Sequence, residues 1–335
     1  MPRRILLIHT GGTLGMVAGK PTNELKPAEL HESVLSFIPE LKELAELDTV
    51  FACNIDSANL AISHVNAVLR VIRDHYHDYD GFVIIHGTDT MAYHASALSF
   101  LLENNSKPVI FTGSQKPLRQ IRTDARMNLV NSVEFATMDL PEVAICFHSK
   151  LFRGNRTRKR SSGDFDAFES PNYPLLATVG VDIQINHAFI ARQPGGTPAF
   201  HELRPGRVAV WTLYPGFDPE YLLPAVLQSD TGALLIHAYA SGNMNIQENN
   251  MVPAIRSLTD AGIPVFVTSQ AVAGRVNLGL YECGRRVMEA GAVGCGPMTM
   301  ESAIFKIMYL LSRFPGVARD ELIIKMQLDL AGELS

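Results

Sequence analysis

The sequence predicts an α/β protein with largely parallel sheets, in two domains, and three observations carry that prediction. Short apolar runs rich in β-branched residues alternate with helical stretches of about ten to fifteen residues, the pattern of right-handed βαβ units. At 335 residues the chain exceeds the length at which a single core keeps growing. The Pro- and Gly-rich segment Ala191-Arg192-Gln193-Pro194-Gly195-Gly196-Thr197-Pro198, which has no apolar period, then interrupts the alternation. The chain accordingly reads as one domain over 1–190, a linker over 191–207 and a second domain over 208–335.

Taken in order, Ile5 to His9 form a first strand that runs into Thr10-Gly11-Gly12-Thr13-Leu14-Gly15, where backbone can approach a ligand closely. These glycines do not fit GxGxxG, and no Gly-Lys-Ser/Thr follows, so dinucleotide and P-loop readings fail on spacing. Met16 to Glu29 lacks periodicity and reads as a long loop of the kind that serves as a lid. Val50 to Ile55 form a strand ending in Asp56-Ser57-Ala58-Asn59, before a helix from Ser63 to Tyr76. Phe82 to Ile85 carry no polar alternation, as expected of a strand covered on both faces, and deliver His86-Gly87-Thr88-Asp89-Thr90 ahead of a helix over Met91 to Leu102. Val109 to Thr112 repeat the pattern with Gly113-Ser114-Gln115, followed by a helix from Arg126 to Met138 and a strand from Val143 to Phe147. Beyond the linker, Val208 to Trp211, Ala233 to Ile236 and Pro264 to Thr268 read as buried strands. Pro219 to Leu227, Asn249 to Asp260, Met300 to Ser312 and Arg319 to Leu328 read as helices.

Composition narrows the class. With 47% hydrophobic and 19% charged residues the chain is an ordinary globular one. A formal charge of -5 gives no general attraction to nucleic acid or to an anionic membrane. The amino terminus enters Ile5 to Ile8 directly, an apolar run too short for a signal peptide or a membrane span, so the protein is expected to stay in the cytoplasm. Cys53, Cys146, Cys283 and Cys295 are widely spaced without a CxxC pair and read as reduced core thiols rather than a disulfide frame or zinc site. His75-Tyr76-His77 suggests no metal either, since residues two apart do not share a helix face.

Thr13, Ser57, Thr88 and Asp89 stand at three strand ends that a parallel sheet brings to one edge, the usual ligand crevice of such folds. The alternative is that Thr88, Asp89 and Thr90 simply cap the next helix. A threonine hydroxyl must lose its proton to a base as it attacks, so a base is needed. His9 and His86 are candidates, although each ends a buried strand and fits the core equally well. The other candidate is Lys159, set among Arg153, Arg156, Arg158 and Arg160, whose repulsion could favour a neutral amine; a solvated basic loop is the competing reading.

Taken together, Thr10-Gly11-Gly12-Thr13-Leu14-Gly15, His86-Gly87-Thr88-Asp89-Thr90-Met91-Ala92-Tyr93, Gly113-Ser114-Gln115 and Arg153-Gly154-Asn155-Arg156-Thr157-Arg158-Lys159 resemble bacterial type I (cytoplasmic) L-asparaginase. Ser241-Gly242-Asn243 and Val276-Asn277-Leu278-Gly279 extend the likeness nearly end to end. The resemblance implies a larger, flavodoxin- or Rossmann-like amino-terminal α/β domain, a smaller carboxyl-terminal α/β domain, and a homodimer or homotetramer. It implies hydrolysis of L-asparagine to L-aspartate and ammonia, with L-glutamine a poor second substrate and no metal or cofactor.

Residue by residue, Thr13 matches the nucleophile, and Thr88, Asp89 and Lys159 match the family's second catalytic group. Ser57, beside Asp56 and Ala58, matches the position holding the substrate α-carboxylate, and Asp89 the α-ammonium. Gly12 and Ser114 join the substrate-contacting positions, while Asn243 matches a residue that reaches the neighbouring subunit's site. Whether Thr13 is acylated or Thr88 activates water stays open; exposure on a glycine turn favours Thr13.

Two departures from the family stand out. Lys20 to Lys26 hold no lid tyrosine, and His237 and Ala271 replace the arginine and cysteine of a regulatory asparagine site, which is expected to be lost or altered. The competing assignments are the ammonia-producing subunit of a tRNA-dependent amidotransferase, whose extra amino-terminal domain is expected to be missing here, and a non-catalytic asparagine sensor.

Overall fold

The structure, a computed structural model, describes residues 2–15, 34–204 and 206–335. It divides into two compact units, Met1–Glu202 and Leu203–Ser335.

The first unit is built on an eight-stranded sheet. Its first five strands are β1 (Arg4–Gly11), β2 (Glu46–Ile55), β3 (Gly81–Ile85), β4 (Val109–Thr112) and β5 (Val143–Phe147). They are mutually parallel in the spatial order β2-β1-β3-β4-β5. That order reverses between β1 and β3, and at such a switch point the two strands' following segments diverge to opposite faces and leave a crevice. Alternation along the strands splits the core: Ile5, Leu7, Val83, Ile85 and Ile110 pack with Leu129, Val133 and Phe135 of the helix Ala125–Ala136. Leu6, Ile8, Phe82 and Ile84 are equally buried and point the other way. The helices α1 (Ile62–His75) and α2 (Met91–Leu101) follow β2 and β3, and Ala125–Ala136 is α3. α2 buries residues all round, including Met91, Ala95, Leu98 and Leu101, which makes it a core helix rather than an amphipathic cover.

The far end of this sheet departs from the expected pattern. Here β6 (Lys150–Arg153) turns back antiparallel on β5, and the short hairpin β7 (Arg158–Lys159) with β8 (Phe168–Glu169) follows. Then β9 (Ala177–Val179) and β10 (Ile183–Ile185) complete the edge, again antiparallel. A turn at His148 and Ser149, both at positive φ, makes the reversal.

In the second unit a four-stranded parallel sheet runs in sequence order: β11 (Val208–Thr212), β12 (Ala233–Ala238), β13 (Val265–Ser269) and β14 (Ala292–Gly294). α5 (Met251–Asp260) buries Met251, Ala254, Ile255 and Leu258, one stripe at helical spacing, and Asn250 caps it by accepting from the Val252 N–H at 3.0 Å. α4 (Leu223–Gln228) is shorter than expected, because Pro219–Tyr221 forms a separate 3-10 turn. α6 (Glu282–Glu289) and β14 are additions to the predicted set. α7 (Met300–Arg313) and α8 (Arg319–Met326) close the chain.

Those last helices are tied by a buried ion pair. Lys306 and Glu333 are both fully buried and in direct contact. Lys306 Nζ also donates to the carbonyls of Met326 at 2.9 Å and Leu328 at 2.5 Å. Glu333 accepts from the N–H groups of Leu330 and Ala331, so each charge is surrounded by partners. Removing one partner strands the other charge in the core. Glu333→Ala is therefore expected to destabilise the fold by about 3–5 kcal/mol, read as a lower thermal midpoint, whereas the paired Lys306→Met/Glu333→Leu variant recovers most of the loss.

Candidate active site

The crevice at the switch point is made by backbone. A Cβ at Gly12, which sits at φ 89°, would lie 2.5 Å from the Gly87 nitrogen, so these two turns touch main chain to main chain. Gly87 in turn admits no side chain, because a Cβ there would lie 2.6 Å from Ser57 Oγ. The ends of β1, β2 and β3 thus meet at one point. Thr13 follows in the 3-10 turn Thr13–Gly15, part-exposed, while its neighbour Leu14 is buried in the core and holds the turn's orientation.

Ser57 ties the second and third strand ends together. Its Oγ accepts from the Asp89 N–H at 3.3 Å, and its carbonyl accepts from Thr90 Oγ1 at 2.8 Å. Asp56 accepts from the Ala58 N–H at 3.0 Å and so fixes the turn that presents Ser57. Thr90 therefore spends its hydroxyl on Ser57, and no side chain caps α2 at this junction. The capping reading of Thr88, Asp89 and Thr90 is replaced by a network facing the crevice.

Lys159 completes that network from the β7–β8 hairpin. Its Nζ donates to Thr88 Oγ1 and to Asp89 Oδ1, both at 2.7 Å. The arginines around it do not converge on it. Arg153 forms a buried pair with Glu142 at 2.8 Å, and Arg153 and Arg156 lie over the Tyr173 ring. Arg158 faces Glu169 at 3.9 Å, and Arg160 pairs with Asp166 at 3.1 Å. Lys159's partner is a carboxylate, Asp89, rather than a group of cations, which corrects the expectation that arginine repulsion sets its state.

Gln115 is the residue that sequence reasoning missed. Thr88 Oγ1 donates to Gln115 Oε1 at 3.3 Å, and Gln115 Nε2 donates to the Asp164 carbonyl at 3.0 Å, inside the hairpin that carries Lys159. Asp124 holds it by accepting from the Gln115 and Lys116 N–H groups at 3.0–3.1 Å. The signal is present in Gly113-Ser114-Gln115, where the resemblance points to the neighbouring Ser114. Ser114 is buried and donates to the Lys116 carbonyl at 2.6 Å, which makes it a turn-former in this structure.

Asn243 lies in the second unit. There its backbone bridges to Tyr239, and its Oδ1 accepts from Cys283 Sγ at 3.3 Å. His237 Nε2 donates to the Ser269 carbonyl at 2.9 Å within the same sheet. The lid segment Met16 to Glu29, with its lack of tyrosine, lies outside the described residues.

The two strand-end histidines are core groups. His9 is buried, and burial with the neighbouring His86 lowers its pKa from 6.5 to about 4. Burial brings His86 to about 4 as well, against the opposing pull of the Gly87 carbonyl. Both are neutral at pH 7 and are weak bases. All four cysteines are free, but only Cys146 and Cys295 are core thiols, pushed up to about 12 by burial, whereas Cys53 and Cys283 are part-buried, which corrects the expectation that all four lie in the core. No helix among the described residues is long and apolar enough to cross a membrane.

A parallel α/β sheet with a hydroxyl, carboxylate and lysine group at its switch point defines an enzyme of the amidohydrolase class, and comparison with known proteins agrees. The family model described as Asparaginase, N-terminal, matches residues 4–191, and that of the Glutaminase/Asparaginase C-terminal domain matches residues 207–320. L-asparaginase 1 of Escherichia coli (strain K12) is 37% identical over 316 residues, covering 93% of this chain and 92% of the relative. The solved structure of L-asparaginase I from Vibrio cholerae superposes with a TM-score of 0.89 at 33% identity, over 100% of both chains. That of the thermostable L-asparaginase from Thermococcus kodakarensis gives 0.89 at 32% identity over 99% of each chain. The chain belongs to the asparaginase family.

The buried histidines predict an acid limit. Unfolded, His9 and His86 take up a proton near pH 6.5; folded, they do so only near pH 4. Between those values the unfolded state binds more protons, so stability is complete above about pH 6.5 and declines as pH falls to about 4. The decline is on the order of 3 kcal/mol for each histidine, and chemical denaturation at a series of pH values measures it.

Proposed function

We propose that this protein hydrolyses L-asparagine to L-aspartate and ammonia, with the reaction centred where β1, β2 and β3 meet. The observation that carries this reading is Lys159 Nζ held at 2.7 Å from both Thr88 Oγ1 and Asp89 Oδ1 beside the Thr13 turn. Thr13 Oγ attacks the side-chain carboxamide carbon, and its proton passes towards the Thr88–Lys159 pair. Charge gathers on the former carbonyl oxygen, which backbone N–H groups of the glycine turns stabilise. The departing nitrogen takes up a proton and leaves as ammonia, giving an acyl ester on Thr13. Water then attacks that ester, releases L-aspartate and restores the hydroxyl.

Ser57, set by Asp56 and Ala58, donates its hydroxyl proton to the substrate α-carboxylate, and Asp89 receives the α-ammonium. Gly12 supplies backbone to the same pocket, and Ser114 shapes its wall through its turn. The domain over 1–190 carries this machinery, and the domain over 208–335 carries dimer contacts and brings Asn243 to the neighbouring subunit's site. The protein works in the cytoplasm as a homodimer or a dimer of dimers, without metal or organic cofactor.

A coupled ammonia assay with L-asparagine, L-glutamine and D-asparagine tests the substrate. L-asparagine is expected to be turned over well ahead of the other two, and binding without ammonia release would instead mark a sensor. Thr13→Ala is expected to lower kcat by about a thousandfold or more, and Lys159→Met by about a hundredfold or more, with circular dichroism unchanged.

A further inference from the structure

Behind the Thr88 turn lies a pair of buried histidines that the reaction above does not use. His86 Nδ1 is 2.6 Å from the Gly87 carbonyl, and His94 Nδ1 is 3.0 Å from His86 Nε2. Proton positions follow by elimination. A carbonyl oxygen only accepts, so His86 Nδ1 carries the proton. His86 is neutral, so its Nε2 is bare and accepts, and His94 Nδ1 must be the donor. The chain has one direction: His94 Nδ1–H to His86 Nε2, then His86 Nδ1–H to the Gly87 oxygen.

Packing keeps it in place. His94 is fully buried in the first turns of α2, and both imidazoles lie edge-on to Phe111 of β4, with centroids at 5.2 Å and 5.9 Å. His94 Nε2 is a buried atom with no hydrogen-bond partner among the described residues. A bare buried nitrogen has a cost that a simple core residue would avoid. The same Gly87 whose carbonyl this chain holds is the residue pressed against Gly12 and Ser57, one position before Thr88.

The geometry points to His94 as a positioning residue for hydrolysis: through His86 it fixes the Gly87–Thr88 peptide, and with it the alignment of the Thr88 hydroxyl with Lys159. This rests on the function proposed above. His94 acts through the histidine ahead of it, to which its Nδ1 is bonded at 3.0 Å.

Two variants and one spectroscopic readout test it. His94→Leu keeps an apolar side chain at the site but removes the donor, whereas His94→Asn keeps an N–H at nearly the position of Nδ1. His94→Leu is expected to lower kcat per folded molecule by about tenfold, the scale of one buried hydrogen bond, and His94→Asn to recover most of it. Equal kcat in His94→Leu and wild type, whatever the thermal midpoint, would show a merely structural histidine and overturn the inference. In 15N-resolved NMR of the wild-type protein, His86 is expected as the Nδ1–H tautomer, with its Nε2 resonance moving towards that of an unbonded nitrogen in His94→Leu. A His86 protonated on Nε2 instead would also overturn it. The NMR result decides the chain even if L-asparagine proves not to be the substrate, so the two readings fail separately.

Discussion

The contact between Gly12 and Gly87 is the constraint on which the site depends. Two turns from different strands approach so closely that Gly12 tolerates no Cβ against Gly87, while Ser57 excludes a Cβ from Gly87 itself. Main chain packed against main chain leaves little freedom, so Thr13 and Thr88, each one residue beyond the contact, inherit a fixed relation. That is the preorganisation hydroxyl chemistry requires, since a weak nucleophile gains most from a geometry set before substrate arrives. The parallel order β2-β1-β3 supplies the meeting point, because it is where successive connections diverge.

Charge is distributed around this point by one-to-one pairing. The stretch from Arg153 to Arg160 looks like a basic patch in the sequence, yet Arg153 spends its charge on buried Glu142 and the Tyr173 ring, and Arg160 on Asp166. Their work is to anchor the β6 turn and the β7–β8 hairpin, which are too short to hold themselves. Lys159 is the cation that this scaffold turns towards the threonine. Gln115 then links hairpin and strand end by accepting from Thr88 with one end of its amide and donating to Asp164 with the other.

Where the sequence was legible, the reason is burial on both faces. Ile5 to Ile8, Phe82 to Ile85 and Ala233 to Ile236 are uninterrupted apolar runs because helices or packed loops cover both sides of a parallel sheet. The antiparallel edge from Lys150 to Ile185 was not, since its strands are two to four residues long and mix buried with exposed positions, leaving no period to read. At the site, Thr13, Ser57, Thr88 and Asp89 announce themselves as small polar residues at strand ends, and Lys159 as a lysine among arginines, a pattern that fits a solvated basic loop equally well until the resemblance is added. Gln115 and the histidine chain were hidden for a different reason. Their meaning lies in which atom of a side chain meets which partner, and a one-dimensional pattern does not carry that.

The central claim is that backbone contact at Gly87 sets the geometry of amide hydrolysis, and the most direct measurement is the kcat for ammonia release from L-asparagine by Gly87→Ala, compared with wild type at matched folded concentration. A single methyl group there must push Ser57 away from Gly87 while leaving every hydroxyl, Asp89 and Lys159 in the chain. The expected result is a loss of about a hundredfold or more with an unchanged circular dichroism spectrum. Turnover at the wild-type rate by the folded variant would contradict the account.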